Sequence, residues 1–458
     1  MQNVKIGLEI HIQLATKSKL FCSCPTFVEE ANSAICEICL GYPGSKPRLN
    51  KAAFEAALKL ALALNFKIAS KLIFSRKTYF YPDLPKNFQI TQYELPFGLG
   101  GEIEVDGQKI KLRRIHLEED PGTIKHLENY ILIDYNRSGI PLVELVTEPE
   151  LESPKQAREL LKTLISILKY LKIFDIDKGL IRTDANVSVA KTNWTRVEIK
   201  NILGFKEVER ALDYEIKRQQ MHAVTRETRG WDSEKGFTYP MRAKEFEEDY
   251  GYIIEPDLPE LEISSELIKK IKSQIPELPK TKALRWIKTF GLSAVDASIL
   301  ASEPIIAAYF ENLIKEFDPK FLITWLRHNL LGALNEFKLD PEKMRCTLDD
   351  LKEFLFLVKE GKITPLIAKS LLKELILKPI NLKAYVKEKG TILEKEELLK
   401  ACEEALEENK KVVEDFLAGN EKALNFIIGK AAAKLGKRAE PKILKEILLE
   451  KIKQKSSD

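Results

Sequence analysis

At 458 residues and 44% hydrophobic content, the chain exceeds a single core and is expected to form roughly two to four domains. Its net charge of only +4 excludes a globally basic nucleic-acid binder, so any such surface must be local. No apolar run reaches membrane-spanning length, and the start lacks a signal-peptide pattern; both point to a soluble, cytoplasmic protein.

From Val4 to Leu14 apolar residues alternate with others, which predicts a half-buried strand. Lys5, Gly7, Glu9, His11 and Gln13 then share the second face. Glu9 and His11 would stand roughly 6.5–7 Å apart, close enough to share one ion; a solvated strand face is the plain alternative. Cys22, Cys24, Cys36 and Cys39 follow as C-x-C and C-x2-C, a spacing suited to tetrahedral zinc. The alternative, four buried or unpaired thiols, stays open; disulfides do not suit an intracellular chain.

Asn50 predicts the cap of a helix from Lys51 to about Asn65. The stretch from Phe74 to Lys86 reads as a loop. It interleaves Arg76 and Lys77 with Tyr79 and Tyr81, as a site for a phosphate and a base would, or as an ordinary exposed loop would. Gly98 to Gly101 reads as a turn, and Glu102 to Leu112 as a hairpin about Asp106-Gly107. Its second strand runs on into Glu118-Glu119-Asp120-Pro121-Gly122. Three successive acids are costly to pack unless a cation sits among them; a solvated acidic turn is the alternative.

Strands are expected at Ile131–Tyr135 and Leu142–Val146, then a helix from Ser153-Pro154 to about Ile173. In the next strand Asp184, Asn186 and Ser188 share one face; in the one after it Arg196, Glu198 and Lys200 do. Several strands with one apolar and one charged face argue an antiparallel sheet open on one side. Glu207 to Gln220 reads as a helix, followed by a hairpin from Glu227 to Arg242. Past about Pro279 the pattern is helical to the end, with Pro341, Pro365 and Pro379 as breaks. The last part splits by charge: three Lys and seven acids from Ala401 to Phe426, then nine Lys or Arg and four acids from Ile427 to Asp458. That basic end is either an RNA-backbone contact or a solvated helix face. Neither a P-loop nor GxGxxG is present, so magnesium and carboxylates would have to hold the phosphates of any nucleotide.

Ten ordered motifs carry a resemblance. They are GLEIH (7–11), the CxC…CxxC set, RKTYFYPDLPK (76–86), HLEEDPG (116–122), DYNRSGIPLVELVTEP (134–149), RTDANVSV (182–189), EIKNI (198–202), ETRGWD (227–232), MRAKEFEEDYGYIIEPDLP (241–259) and ALNFIIGKAAAKLGKRAEPKILKEIL (423–448). Together they make the chain closely similar to the B-subunit family of tRNA-dependent aspartyl/glutamyl-tRNA amidotransferases. Two departures stand out: Thr183 where relatives often have Cys, and Pro121-Gly122-Thr123 where they have Ala-Gly-Lys.

The resemblance implies an α+β fold. Residues 1–290 would form a catalytic cradle, an open antiparallel sheet resembling glutamine synthetase. Residues 291–400 would form a helical domain and 401–458 a tail domain that contacts tRNA. The family implies ATP, Mg²⁺ and a structural Zn²⁺ as cofactors. It implies an A-subunit glutaminase and a small C-subunit partner, and mischarged tRNA as substrate. The carboxylate of Glu or Asp wrongly esterified to tRNA is phosphorylated, and ammonia then displaces phosphate. On this basis Glu9, His11 and Glu119 are expected to hold magnesium, with Glu118 and Asp184 beside them. Arg76 and Lys77, with Arg137, Lys200 and Arg242, would steady phosphates, and Tyr79 or Tyr81 would stack on an adenosine. Glu119 or Glu148 would take the proton from ammonia. Glu119→Gln is expected to abolish phosphate transfer and spare tRNA binding. A pure tRNA-binding scaffold and a free-standing ligase are the rival readings.

Overall fold

The structure, a computed structural model, describes residues 3–175, 177–243, 250–389, 395–417, 420–435, 439 and 441–455. The chain divides into two compact units, Met1–Lys282 and Ala283–Asp458.

A nine-stranded sheet is the frame of the first unit. Its strands are β1 (Val4–Gln13), β2 (Lys67–Ile68), β3 (Gly98–Val105), β4 (Gln108–Glu119), β5 (Pro141–Thr147), β6 (Ile181–Val189), β7 (Val197–Leu203), β8 (Glu227–Asp232) and β9 (Phe237–Ala243). They lie in the order β9-β8-β7-β6-β1-β5-β4-β3-β2. Every pair is antiparallel except β7–β8, which is parallel. The sheet is therefore mixed rather than wholly antiparallel. The cause is the helix between those two strands, Phe205–Met221, since parallel neighbours need a long crossover.

Alternation sorts the two faces. Ile6, Leu8, Ile10 and Ile12 of β1 are all at most 1% exposed. They join one core with residues of helices α1 (Lys51–Ala63), α2 (Pro154–Leu171) and α3 (Phe205–Met221). The caps are local: the Asn50 side chain accepts from the N–H groups of Ala52 and Ala53, and Ser153 accepts from that of Gln156. Asp106 and Gly107 have φ of +48° and +81°, the geometry the tight β3–β4 turn requires.

Two local expectations give way to long-range contacts. Gly98 to Gly101 is the start of β3, not a turn. A Cβ on Gly101 would come within 2.6 Å of the Phe66 ring, and one on Gly98 within 2.5 Å of an Ile115 methyl. These glycines admit neighbouring side chains rather than reverse the chain. In the basic–aromatic stretch, Ser75–Thr78 is a strand, held between Gly251–Ile254 and Phe88–Thr91.

The second unit is helical. Pro304, Pro319 and Pro365 each open a helix, where a missing N–H costs nothing. Helices between Lys395 and Lys455 gather a core of their own around Cys402, Ile427, Ala431 and Leu444. Among the described residues no helix is long and apolar enough to cross a membrane.

Candidate active site

The charged face of the sheet is assembled by register. His11 of β1 lies opposite Glu144 of β5, and Glu144 lies opposite His116 of β4. Parity adds Glu9 and Glu118 to this row. His11 Nε2 lies 3.6 Å from Glu9 Oε1, 3.6 Å from Glu118 Oε1 and 3.5 Å from Glu144 Oε2. His116 Nε2 lies 3.5 Å from Glu118 Oε2 and 3.6 Å from Glu144 Oε2. Two triads result, Glu9–His11–Glu144 and His116–Glu118–Glu144, each with its donor atoms within 4.8 Å of one another. Glu144 belongs to both.

Neither Glu144 nor His116 is singled out by the sequence. A signal exists for the first: Glu144 is a lone acid inside the apolar run Leu142-Val143-Glu144-Leu145-Val146, and a charge in such a strand needs partners.

The charges of the row act strongly on one another, and its donor atoms are close enough together to hold a cation. The charge of Glu144, helped by burial, pushes the Glu9 carboxyl up to about 7. Burial works against a charged His11, yet a hydrogen bond to Glu144 and the charges of Glu118 and Glu144 lift it to about 10. Burial also opposes ionisation of Glu118 and Glu144, but His116 and His11 override it and hold both below the usual carboxylate range. His116 Nδ1 is buried with no hydrogen-bond partner among the described residues. Three carboxylates and two imidazoles therefore hold one another through protons that a divalent cation would displace. The oxygen-rich donor set fits magnesium, with imidazole tolerated.

The three successive acids do not share an ion. Glu118 joins the triads. Glu119, of opposite parity, turns away: its carboxylate takes Lys86 Nζ at 2.5 Å and the Ile90 N–H at 2.9 Å. Asp120 pairs with Arg182, lies 3.6 Å from Arg137 Nε, and accepts from Gln13 Nε2 at 2.7 Å. The structure thus separates Glu119 from Glu9 and His11, the residues it was expected to join. Lys86 and Glu119 are 7% and 5% exposed. Removing one partner of such a buried pair leaves an uncompensated charge, so Lys86→Met is expected to destabilise the fold by about 3–5 kcal/mol. The double variant with Glu119→Gln should recover most of that loss. Urea unfolding measures both, and a Lys86→Met loss under about 1 kcal/mol would remove the pair from any structural role.

The other expected residues fall into distinct places. Asp184 lies opposite Glu9 and pairs with Lys200 Nζ at 2.9 Å. Lys200 and Lys77 line the same cavity as Glu9, and Lys77 Nζ stands 4.5 Å over the Tyr250 ring. Tyr79 packs on that ring at 5.7 Å. Arg76 is committed to Glu255 through two hydrogen bonds of 2.7 and 2.8 Å. Arg137 donates to the carbonyls of Pro121 and Gly122 and so shapes the acidic segment. Glu148 is paired by two hydrogen bonds with Arg113. Tyr81 is half exposed and lines a separate depression with Phe80, Leu84 and Tyr135. Arg242 lies in β9 opposite Thr228; its side chain is outside the described residues, as is the stretch 244–249.

The cavity itself is about 290 Å³. Glu9, Glu118, Glu144, His116 and Glu198 contribute to it, as do five cations, Lys77, Arg113, Arg114, Arg196 and Lys200. Tyr93 and Tyr252, stacked at 3.8 Å, and Tyr250 form an aromatic wall.

The four cysteines converge, their sulfurs within 4.8 Å of one another. Lys19, 0% exposed, brings Nζ to 3.7 Å from Cys39 Sγ, 2.8 Å from the Ala34 carbonyl and 3.3 Å from that of Tyr135. A buried ammonium beside four thiols offsets the negative charge a zinc tetrathiolate carries, so the set fits zinc. Asn136 braces the same loop: it accepts from the Ala34 N–H at 2.8 Å and donates to the Glu30 carbonyl at 2.6 Å.

Comparisons with known proteins agree along nearly the whole chain. Residues 4–269 match the family model described as the GatB/GatE catalytic domain, and residues 308–452 that described as the GatB domain. The chain is 41% identical to the B-subunit of the aspartyl/glutamyl-tRNA(Asn/Gln) amidotransferase of Moorella thermoacetica, over 98% of this chain and 99% of the relative. Proteins of the same name from Thermotoga maritima and Sulfolobus acidocaldarius are 41% and 42% identical, the first over 97% of both chains, the second over 97% of this chain and 98% of the relative. With its first unit matched almost throughout and full-length relatives above 40% identity, this chain belongs to the GatB/GatE family.

Proposed function

We propose that this protein is the ATP-dependent transamidating subunit that converts Glu-tRNA(Gln), Asp-tRNA(Asn) or both to Gln-tRNA(Gln) and Asn-tRNA(Asn). The observation that carries the reading is one cavity in which four carboxylates and the His116 imidazole meet five cations, with His11 in contact distance of three of those carboxylates. A carboxylate is a poor electrophile. Its oxygen attacks the terminal phosphorus of ATP, ADP leaves, and the acyl phosphate then loses phosphate to ammonia. Both steps build negative charge that must be neutralised. A bound magnesium would supply part of that neutralisation; Glu9, His11 and Glu144, with Glu118 and His116, are the residues that would hold it. The cations on the cavity wall orient the phosphates. The two carboxylates first expected to accept the proton from ammonia, Glu119 and Glu148, are held by Lys86 and Arg113. Glu198, which lines the cavity and there accepts from Thr228 and lies 3.6 Å from Lys200, takes their place as the proposed acceptor.

The rest of the reading rests on the likeness to the family's B-subunits. Ammonia comes from an A-subunit glutaminase, with a small C-subunit partner completing a heterotrimer in the cytoplasm, where tRNA is charged. The catalytic sheet is a cradle of the glutamine synthetase kind, zinc at the four cysteines is structural, residues 291–400 form a helical domain and residues 401–458 a tail that contacts tRNA. ATP cleavage by this chain, given mischarged tRNA and ammonia but no glutaminase, tests it. Cleavage that depends on the mischarged tRNA is expected; none under any condition would leave only a tRNA-binding scaffold.

A further inference from the structure

A buried charge stands beside the four cysteines. Lys19 is 0% exposed, and its ammonium meets the Cys39 sulfur at 3.7 Å and the carbonyl oxygens of Ala34 at 2.8 Å and Tyr135 at 3.3 Å. None of these partners is a carboxylate. Carbonyl dipoles solvate an ammonium without cancelling its charge, and a buried charge left unbalanced is costly. The balancing charge has its place on the sulfurs, which lie within 4.8 Å of one another. A zinc ion held by four thiolates carries two net negative charges, and Lys19 offsets one of them.

The loop that carries the cysteines is tied to residues 133–139. The Asn32 N–H donates to Asp134 Oδ1 at 3.0 Å, and the Asn32 side chain accepts from the Tyr135 N–H at 2.8 Å. Leu20, next to Lys19 in the chain, donates its N–H to the Gly139 carbonyl at 2.8 Å, and the Gly139 N–H donates to the Asp120 carbonyl at 2.9 Å. Gly139, at φ +89°, lies against the same lysine: a Cβ there would stand 3.4 Å from Lys19 Cδ and 3.7 Å from Cys39 Cβ. Arg137 of this segment donates to the carbonyls of Pro121 and Gly122. A second tie starts at Gly41, two residues past Cys39, where a Cβ would strike the stem of Lys86, the partner of Glu119. Both ties end at residues 119–122, directly after Glu118 in the chain.

We infer that Lys19 is a positioning residue: it balances the charge of a metal held by the four cysteines and passes that metal's occupancy, through residues 133–139, to the acidic strand end at Glu118–Gly122. With the thiols neutral the ammonium loses its counter-charge, and the Ala34 and Tyr135 carbonyls lose the donor that joins them. The end of β4, where Glu118 enters the acidic row, then loosens. The inference rests on the reading of the four cysteines as a zinc site.

The zinc affinity of the full chain is measured by competition with a chromophoric chelator, and amide hydrogen exchange by mass spectrometry with and without zinc. Lys19→Met should weaken zinc binding roughly ten- to a hundredfold, the usual effect of losing a partner of a metal ligand. Lys19→Gln, which keeps a donor without the charge, should do the same, and it serves where the methionine variant fails to fold. In the unmodified chain, removing zinc should speed exchange at residues 118–122 and 133–139 about tenfold or more and leave helix α3 unchanged. Saturated with Co²⁺ in place of zinc, Lys19→Met should keep the absorption of a tetrahedral four-sulfur site and still show the faster exchange at 133–139. Neither loss of a ligand nor general loosening of the fold gives that combination. Unchanged zinc affinity in both variants would overturn the counter-charge. Exchange at 118–122 and 133–139 that ignores zinc, or that rises equally in α3, would overturn the coupling. A chain that binds no zinc would remove the zinc reading and the inference with it.

Discussion

Glu144→Gln is expected to lower mischarged-tRNA-dependent ATP cleavage by about 10²–10³-fold or more while leaving tRNA affinity intact. The variant keeps the shape of the side chain and removes its charge. Glu144 is the carboxylate shared by the two triads, 3.5 Å from His11 and 3.6 Å from His116. Without it, each remaining set has one carboxylate and one imidazole in place of two carboxylates and one imidazole, too few to hold a hard cation in place. The size of the loss is that of removing one preorganised group that stabilises developing charge. The contrast with Glu119→Gln makes the experiment decisive. Glu119 is tied to Lys86 and to the Ile90 N–H, so its variant should act mainly through stability. Near-normal turnover in Glu144→Gln, together with abolished turnover in a fully stable Glu119→Gln, would return the metal to Glu119.

The second large effect is on the pH dependence of magnesium binding. Glu9 titrates at about 7 and His11 at about 10 when no cation is bound, so an ion that takes both groups must first displace their protons. Below pH 7 two protons leave per ion, and affinity should rise about 100-fold per pH unit. Between pH 7 and 10 one leaves, and the rise should be about tenfold per unit. The stability of the metal-free fold runs the other way. Glu9 has its pKa raised above the ordinary 4.5, so the folded state binds the extra proton and loses stability as pH climbs from 4.5 to 7. His11 is likewise raised above 6.5, and its contribution is full below that value and lost as pH rises towards 10. The stabilisation given by a fixed magnesium concentration should therefore grow with pH. Calorimetric titrations at pH 6.5, 8 and 9.5, in buffers of different protonation enthalpy, measure affinity and proton release together. Affinity that does not change over that range would place the ion away from Glu9 and His11.

What could be read from the residues alone was whatever depends on near neighbours in the chain. Alternation along Val4–Gln13 set Glu9 and His11 on one face. The spacing of four cysteines announced a thiol cluster, and Asp106-Gly107 announced a tight turn. Asn50 and Ser153 marked helix starts. Each is a matter of a few bonds, and each is where it was expected. The pairing of strands is not local. Local parity already put Glu118 and Glu119 on opposite faces, but it could not say which face met His11. The neighbour strand β5 and its register decided that, and they brought in Glu144 and His116. Ser75–Thr78 became a strand through residues 251–254, far along the chain. Arg113 entered the cavity through a one-residue slip. Side-chain direction is written every second residue, whereas partner, order and register come from burying a whole sheet at once, and only the folded chain contains that information.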